Sequence, residues 1–170
     1  MGMRPIIEPP GDGAKGAGDD AEGALMDRAR AEQLYQEYQV GEHKDRAYVV
    51  SLSNALKATD NCEPMYKEFF GDFYEEAMTF ITSMKTYVEE FRAGKLETHN
   101  IYESFRLSHM VKGAAATMGY KVISSLSGGL EHMFSDVREN KLTLTPQLVD
   151  LVEHTMQLIA QHLEELKKNP

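Results

Sequence analysis

His109 is the residue in this chain best placed to do chemistry. It falls in a stretch with helical periodicity, followed by Lys112 at i+3, Gly113 at i+4 and Ala116 at i+7. With roughly 100° between successive helical residues, Ser104, Leu107, Ser108, Val111, Ala115 and Met118 gather on one side, which is the core face. His109 points away from them, between Tyr102, Arg106, Gly113 and Ala116, so its ring is expected to be exposed. Imidazole titrates near neutrality, and much of it presents a neutral, nucleophilic nitrogen at cellular pH. A phosphoryl group is an electrophile suited to that nitrogen. Lys112 can lean its ammonium toward the charge such a group brings.

The flank of the ring is unusually bare. A glycine inside a helix costs about 1 kcal/mol relative to alanine. Placing one beside an exposed histidine makes sense if another protein must approach the imidazole closely. Arg106, Gly113 and Ala116 are therefore expected to dock a partner. The charge pattern points the same way. The chain carries 27 acidic residues and a formal net charge of -9, yet residues 104–130 contain no Asp or Glu and hold Arg106, Lys112 and Lys121. An acidic protein thus offers one locally positive stretch around His109 that would favour an anion.

The elements that must hold this ring are helices. Residues 64–93 place Tyr66, Phe70, Phe73, Ala77, Phe80, Met84, Tyr87 and Phe91 at alternating spacings of four and three, a core stripe that ends at Gly94. A second helix is expected over 100–117, opened by Asn100 and Glu103 at the spacing of a capping box and closed before Gly119. A third, over 120–139, buries Ile123, Leu126, Leu130, Phe134 and Val137, although Gly128 and Gly129 should weaken, bend or break it. A fourth opens at Thr145-Pro146 and runs to about residue 166 through Leu148, Leu151, Val152, Met156, Ile159 and Leu163. Four amphipathic helices on short links predict an all-α, antiparallel four-helix bundle over residues 63–168. Ahead of it, residues 24–62 read as a helical extension with helices over 24–40 and 45–58, which pads the bundle or docks a partner.

Residues 1–23 hold 6 of the 13 glycines and 3 of the 6 prolines and read as a flexible leader without the apolar run of a signal peptide. No apolar run is long enough to span a bilayer. The acidic balance argues against nucleic acid and anionic membranes as partners. Cys62 is the single cysteine, which suits a reducing cytoplasm. His132, His154 and His162 are expected on or near helix surfaces without the i,i+4 pairing of a helical metal site, so no metal is expected. His43 and His99 are expected in loops.

The run from Phe105 to Tyr120 resembles the histidine-containing phosphotransfer family. His109, Lys112, Gly113 and Gly119 meet that family's pattern, His-x-x-Lys-Gly with a second glycine six residues after the first. The likeness is closest to the phosphoryl-accepting N-terminal domains of chemotaxis histidine kinases of the CheA type, and it extends over residues 69–166. It implies that His109 is the phosphorylated histidine, that Lys112 is its charge partner, and that Glu131 accepts a hydrogen bond from the other ring nitrogen. A second histidine common in CheA-type domains is replaced by Gly128, which implies a smaller active-site network and is expected among the partner-docking residues.

The resemblance implies a phosphocarrier of a two-component phosphorelay. A histidine kinase catalytic domain would load it, and the aspartate of a response-regulator receiver domain would unload it. The chain shows no phosphate-cradling glycine loop, so ATP and Mg²⁺ would come with those partners. It would count as an enzyme only as a piece of a CheA-type kinase. The competing reading is a non-phosphorylated helical adaptor or kinase inhibitor that keeps the fold. A small enzyme with its own nucleophile–base pair finds no support in the sequence.

Overall fold

Periodic apolar stripes need partners, and in the computed structural model, which describes residues 46–170, they find one another. Among the described residues the chain forms five α-helices: α1 (Ala47–Ala55), α2 (Phe70–Arg92), α3 (Thr98–Met118), α4 (Lys121–Arg138) and α5 (Pro146–Lys168). The leader over 1–23, the helix expected over 24–40 and His43 lie outside the described residues. Helices α2 to α5 pack each against its neighbour, and α5 closes back on α2, giving the expected four-helix bundle. No described helix is long and apolar enough to cross a membrane.

Each helix boundary has a local cause. Pro64 opens a 3₁₀ turn, Pro64–Phe69, where the sequence pattern had suggested α-helix, and α2 begins only at Phe70. Helix α3 starts earlier than expected, after Glu97, and no side chain caps it. The expected Asn100–Glu103 capping box does not form. Asn100 is a buried residue within the helix whose amide donates to the Glu90 carboxylate, and Glu103 instead accepts from Arg106. His99, expected in a loop, lies in the first turn of α3. Thr145 does cap α5: its hydroxyl accepts from Leu148 N at 3.3 Å, with Pro146 following in the first turn.

The core runs through Phe73, Phe80, Met84, Ile123, Leu130, Phe134, Leu151, Ile159 and Leu163, all buried. Tyr120, at the turn between α3 and α4, packs its ring 5.2 Å from that of Phe73 and edge-on to Phe70. Val137 and Leu107, expected in the core, are only partly buried. His154, expected near the surface, is buried on α5. The wide apolar face of α5 leaves residue 154 no route to solvent.

Helix α1 contributes Tyr48, Val49, Leu52 and Ala55 to this core. Tyr48 and Leu52 of α1 are fully buried against α4. The chain then crosses the α3–α4 turn, where Asn61 N donates to Gly119 O at 2.8 Å. Only glycine fits at 119: its φ is +80°, and a Cβ there would lie 2.1 Å from Asn61 O. Asp60 accepts from Val122 N at 3.0 Å and pairs with His162 Nε2, tying the strap to both α4 and α5. Burial works to raise the Asp60 pKa, but the bonds from His162 and the α4 backbone outweigh it and hold the carboxyl below its ordinary value.

The Gly128-Gly129 pair does not bend or break α4, which runs unbroken from Lys121 to Arg138. Neighbouring side chains occupy the space that the glycines leave. A Cβ on Gly129 would stand 2.6 Å from Leu52 Cδ2, and one on Gly128 would stand 3.3 Å from Lys112 Cδ. Tertiary packing outweighs the local helix penalty here.

Gly129→Ala should therefore destabilise the protein by about 1–3 kcal/mol through overpacking, and Leu52→Ala by about 2–5 kcal/mol through a cavity. In urea unfolding, the double variant should lose less than the two single losses added together, because each change relieves the other. Simple additivity would show that Leu52 and Gly129 do not meet in solution.

Candidate functional site

Small side chains let α3 and α4 approach closely. Ser104 and Ser108 are buried on α3 and satisfy their hydroxyls on the helix backbone, donating to Asn100 O and Ser104 O at 2.8 and 2.7 Å. On α4, Gly128 presents no side chain, and the Lys112 stem of α3 lies over it. Ser124 of α4 also donates to Lys112 O, at 3.2 Å. The two helices share the most extensive packing in the bundle, and that closeness brings Glu131 up to His109.

The His109 side chain is 62% exposed, and Glu131 behind it only 10%. The ring's Nδ1 meets Glu131 Oε2. Lys112 Nζ lies 2.5 Å from the other carboxylate oxygen, Oε1. One buried carboxylate is thus shared between an imidazole and an ammonium. Burial pushes the Glu131 pKa up, but Lys112 and His109 together outweigh it and keep the group below its ordinary value. An ionised carboxylate only accepts hydrogen bonds, so Nδ1 carries the proton that it donates to Glu131. In the neutral ring Nε2 then holds the lone pair, on the edge turned away from Glu131.

The remaining predicted positions divide. Gly113 and Ala116 are exposed on the same helix as the ring, and a Cβ on Gly113 would meet nothing within 4 Å. Arg106 is partly exposed, but its guanidinium makes two bonds to Glu103, both 2.9 Å, so part of its charge is already engaged. Gly128 does not offer a partner the expected docking surface. It is buried beneath the Lys112 stem, and its lack of a side chain lets that lysine cross α4 to reach Glu131. Lys112 itself rests on Glu131 rather than leaning out past the ring.

Two neighbours were missed in the sequence. The Phe105 ring lies 6.4 Å from that of His109 and nearly parallel to it, at 17°. Arg138, at the end of α4, sets its guanidinium carbon 4.7 Å from the centre of Phe105 and 4.8 Å from that of Tyr102. Helical spacing was the available signal. Phe105 stands one turn before His109, and Arg138 stands two turns after Glu131.

An imidazole fixed at one nitrogen by a buried carboxylate, with a cation on that carboxylate and open surface around the other nitrogen, is built to accept and release a group. Residues 68–168 match the Hpt domain family. The chain belongs to that family. Among curated proteins it is similar to the chemotaxis protein CheA of Listeria monocytogenes, 30% identical over 80 residues, which are 47% of this chain and 13% of that protein. It is also similar to CheA of Klebsiella aerogenes, 24% identical over 99 residues, 58% of this chain and 15% of that one. CheA of Treponema pallidum is 26% identical over 109 residues, 64% of this chain and 13% of that protein. The chain therefore spans only a small part of the length of these relatives. No solved structure gives a significant match.

Because Gly113 faces open space on an exposed helix, Gly113→Ala should raise the unfolding free energy by about 1 kcal/mol, read from urea denaturation. A loss of stability would mean that something packs on Gly113, contrary to its role as bare surface.

Proposed function

We propose that this protein carries a phosphoryl group on Nε2 of His109 within a chemotaxis-like two-component pathway. A histidine kinase catalytic domain supplies the group and the aspartate of a response-regulator receiver domain takes it. The observation that carries this reading is the buried Glu131 carboxylate, which binds Nδ1 of an exposed ring and so commits Nε2 to be the nucleophile. Membership of the Hpt domain family supports it. Mg²⁺ and ATP arrive with the partner domains, and the exchange takes place in the cytoplasm, where ATP is available.

In the loading step the Nε2 lone pair attacks the γ-phosphorus of ATP. The bond from that phosphorus to the bridging oxygen breaks, and ADP leaves with the electron pair. The ring becomes cationic as the N–P bond forms. Glu131 stabilises it through Nδ1–H, much as a buried carboxylate steadies an imidazolium elsewhere. The attached phosphoryl adds about two negative charges. Lys112, which shares the Glu131 carboxylate with the ring, is the cation that offsets them. In the unloading step a receiver carboxylate oxygen attacks phosphorus, and the N–P electron pair returns to Nε2. Gly113 and Ala116 leave room for both partners to come close.

A non-phosphorylated adaptor would have no use for an exposed histidine held in one tautomer. Incubated with a cognate kinase and ATP, the protein should acquire acid-labile, alkali-stable phosphate, and His109→Gln should abolish the labelling. Full labelling of that variant would refute the assignment.

A further inference from the structure

The phosphocarrier reading accounts for the edge of the imidazole that faces Glu131, but not for what holds the ring's face. A single hydrogen bond leaves a ring free to rock about the bond's axis. His109 is well exposed, so few other contacts restrain it. The nearest candidate is Phe105, one helical turn earlier, with its ring nearly parallel to the imidazole. A pair at that separation and tilt is an offset stack, within the range aromatic rings favour.

Phe105 is itself only partly buried, and Arg138 covers it from α4. Arg138 is exposed, yet its guanidinium rests on two aromatic faces, Phe105 and Tyr102. Among the described residues it takes part in none of the ion pairs, whereas Arg92, Arg106 and Lys112 each sit on carboxylates. Arginine suits this position for two reasons. Its flat cation stacks on rings, and its charge is favoured at the C-terminal end of a helix. The spacing is consistent along both helices. On α3, Phe105 and His109 are one turn apart. On α4, Arg138 and Glu131 are two turns apart on one stripe. The two helices therefore meet in two rungs, His109 on Glu131 and Phe105 under Arg138.

We infer that Arg138 is a positioning residue for phosphotransfer: seated on Tyr102 and Phe105, it holds Phe105 against the imidazole and so fixes the face of the ring whose edge Glu131 fixes. This inference rests on the phosphocarrier reading of His109. It extends that reading to a residue outside the hydrogen-bonded set. A ring restrained at both edge and face keeps the Nε2 lone pair aimed in one direction, and reaction rates depend strongly on such alignment.

The test uses the full chain and phosphoramidate, a small phosphoryl donor that needs no partner protein. Wild type, Arg138→Ala and Lys141→Ala are compared, because Lys141 is another exposed cation near the end of α4 and touches none of these rings. The His109 ring nitrogens are followed by ¹⁵N NMR, together with the Phe105–His109 ring contacts, and thermal melting monitors folding. Arg138→Ala should label roughly two- to fivefold more slowly, the change an exposed cation–π contact can supply. It should also lose the Phe105–His109 contacts while melting as wild type does, and Lys141→Ala should match wild type in every readout.

Unchanged labelling and unchanged ring signals in Arg138→Ala would overturn the inference. So would equal slowing in both variants with the ring signals intact, since that reports charge alone. If wild type itself takes no phosphoryl group on His109, the phosphocarrier reading fails, and the ring contacts still decide whether Arg138 holds Phe105 in place.

Discussion

One buried carboxylate organises this protein's surface chemistry. Glu131 lies behind the bundle face with little exposure, and a lone ionised carboxyl there would be costly. It is tolerated because Lys112 and the His109 Nδ1–H each take one of its oxygens. The same arrangement assigns the ring its tautomer.

These contacts depend on how closely two helices can approach. Between α3 and α4, Ser124 donates to Lys112 O, and Gly128 lies beneath the Lys112 stem. On the outer side of α4, Gly129 accepts Leu52, so the extension helix α1 packs one residue from the lysine's path. Two consecutive glycines, about 100° apart around the helix, thus receive side chains from two different helices. The strap that follows α1 ties Asp60 to the start of α4 and to His162 on α5. Helix α1, ahead of the family match, is in this way built into the same core as the site.

Local features were readable from sequence wherever helical periodicity decides them. The exposure of His109, the bare flank at Gly113 and Ala116, the Thr145 cap and the buried stripes of α4 and α5 all follow from residue spacing along one helix. Glu131 could be paired with His109 only through the family resemblance, since no spacing rule links residues on different helices. Gly128 gives no sign in the sequence of being covered, because the lysine that crosses it comes from another helix. Asn100 has the spacing of a cap, but it lies within the helix and its amide donates to Glu90 on α2. Arg138 and Leu52 act across helix pairs, and nothing local in the sequence announces such contacts.

If Glu131 reserves Nδ1, only Nε2 is left to react. Phosphorylating the protein and resolving the two phosphohistidine isomers of His109 by ³¹P NMR tests it most directly. The phosphoryl group should sit on Nε2 alone. Phosphate on Nδ1, or on any other residue, would contradict it.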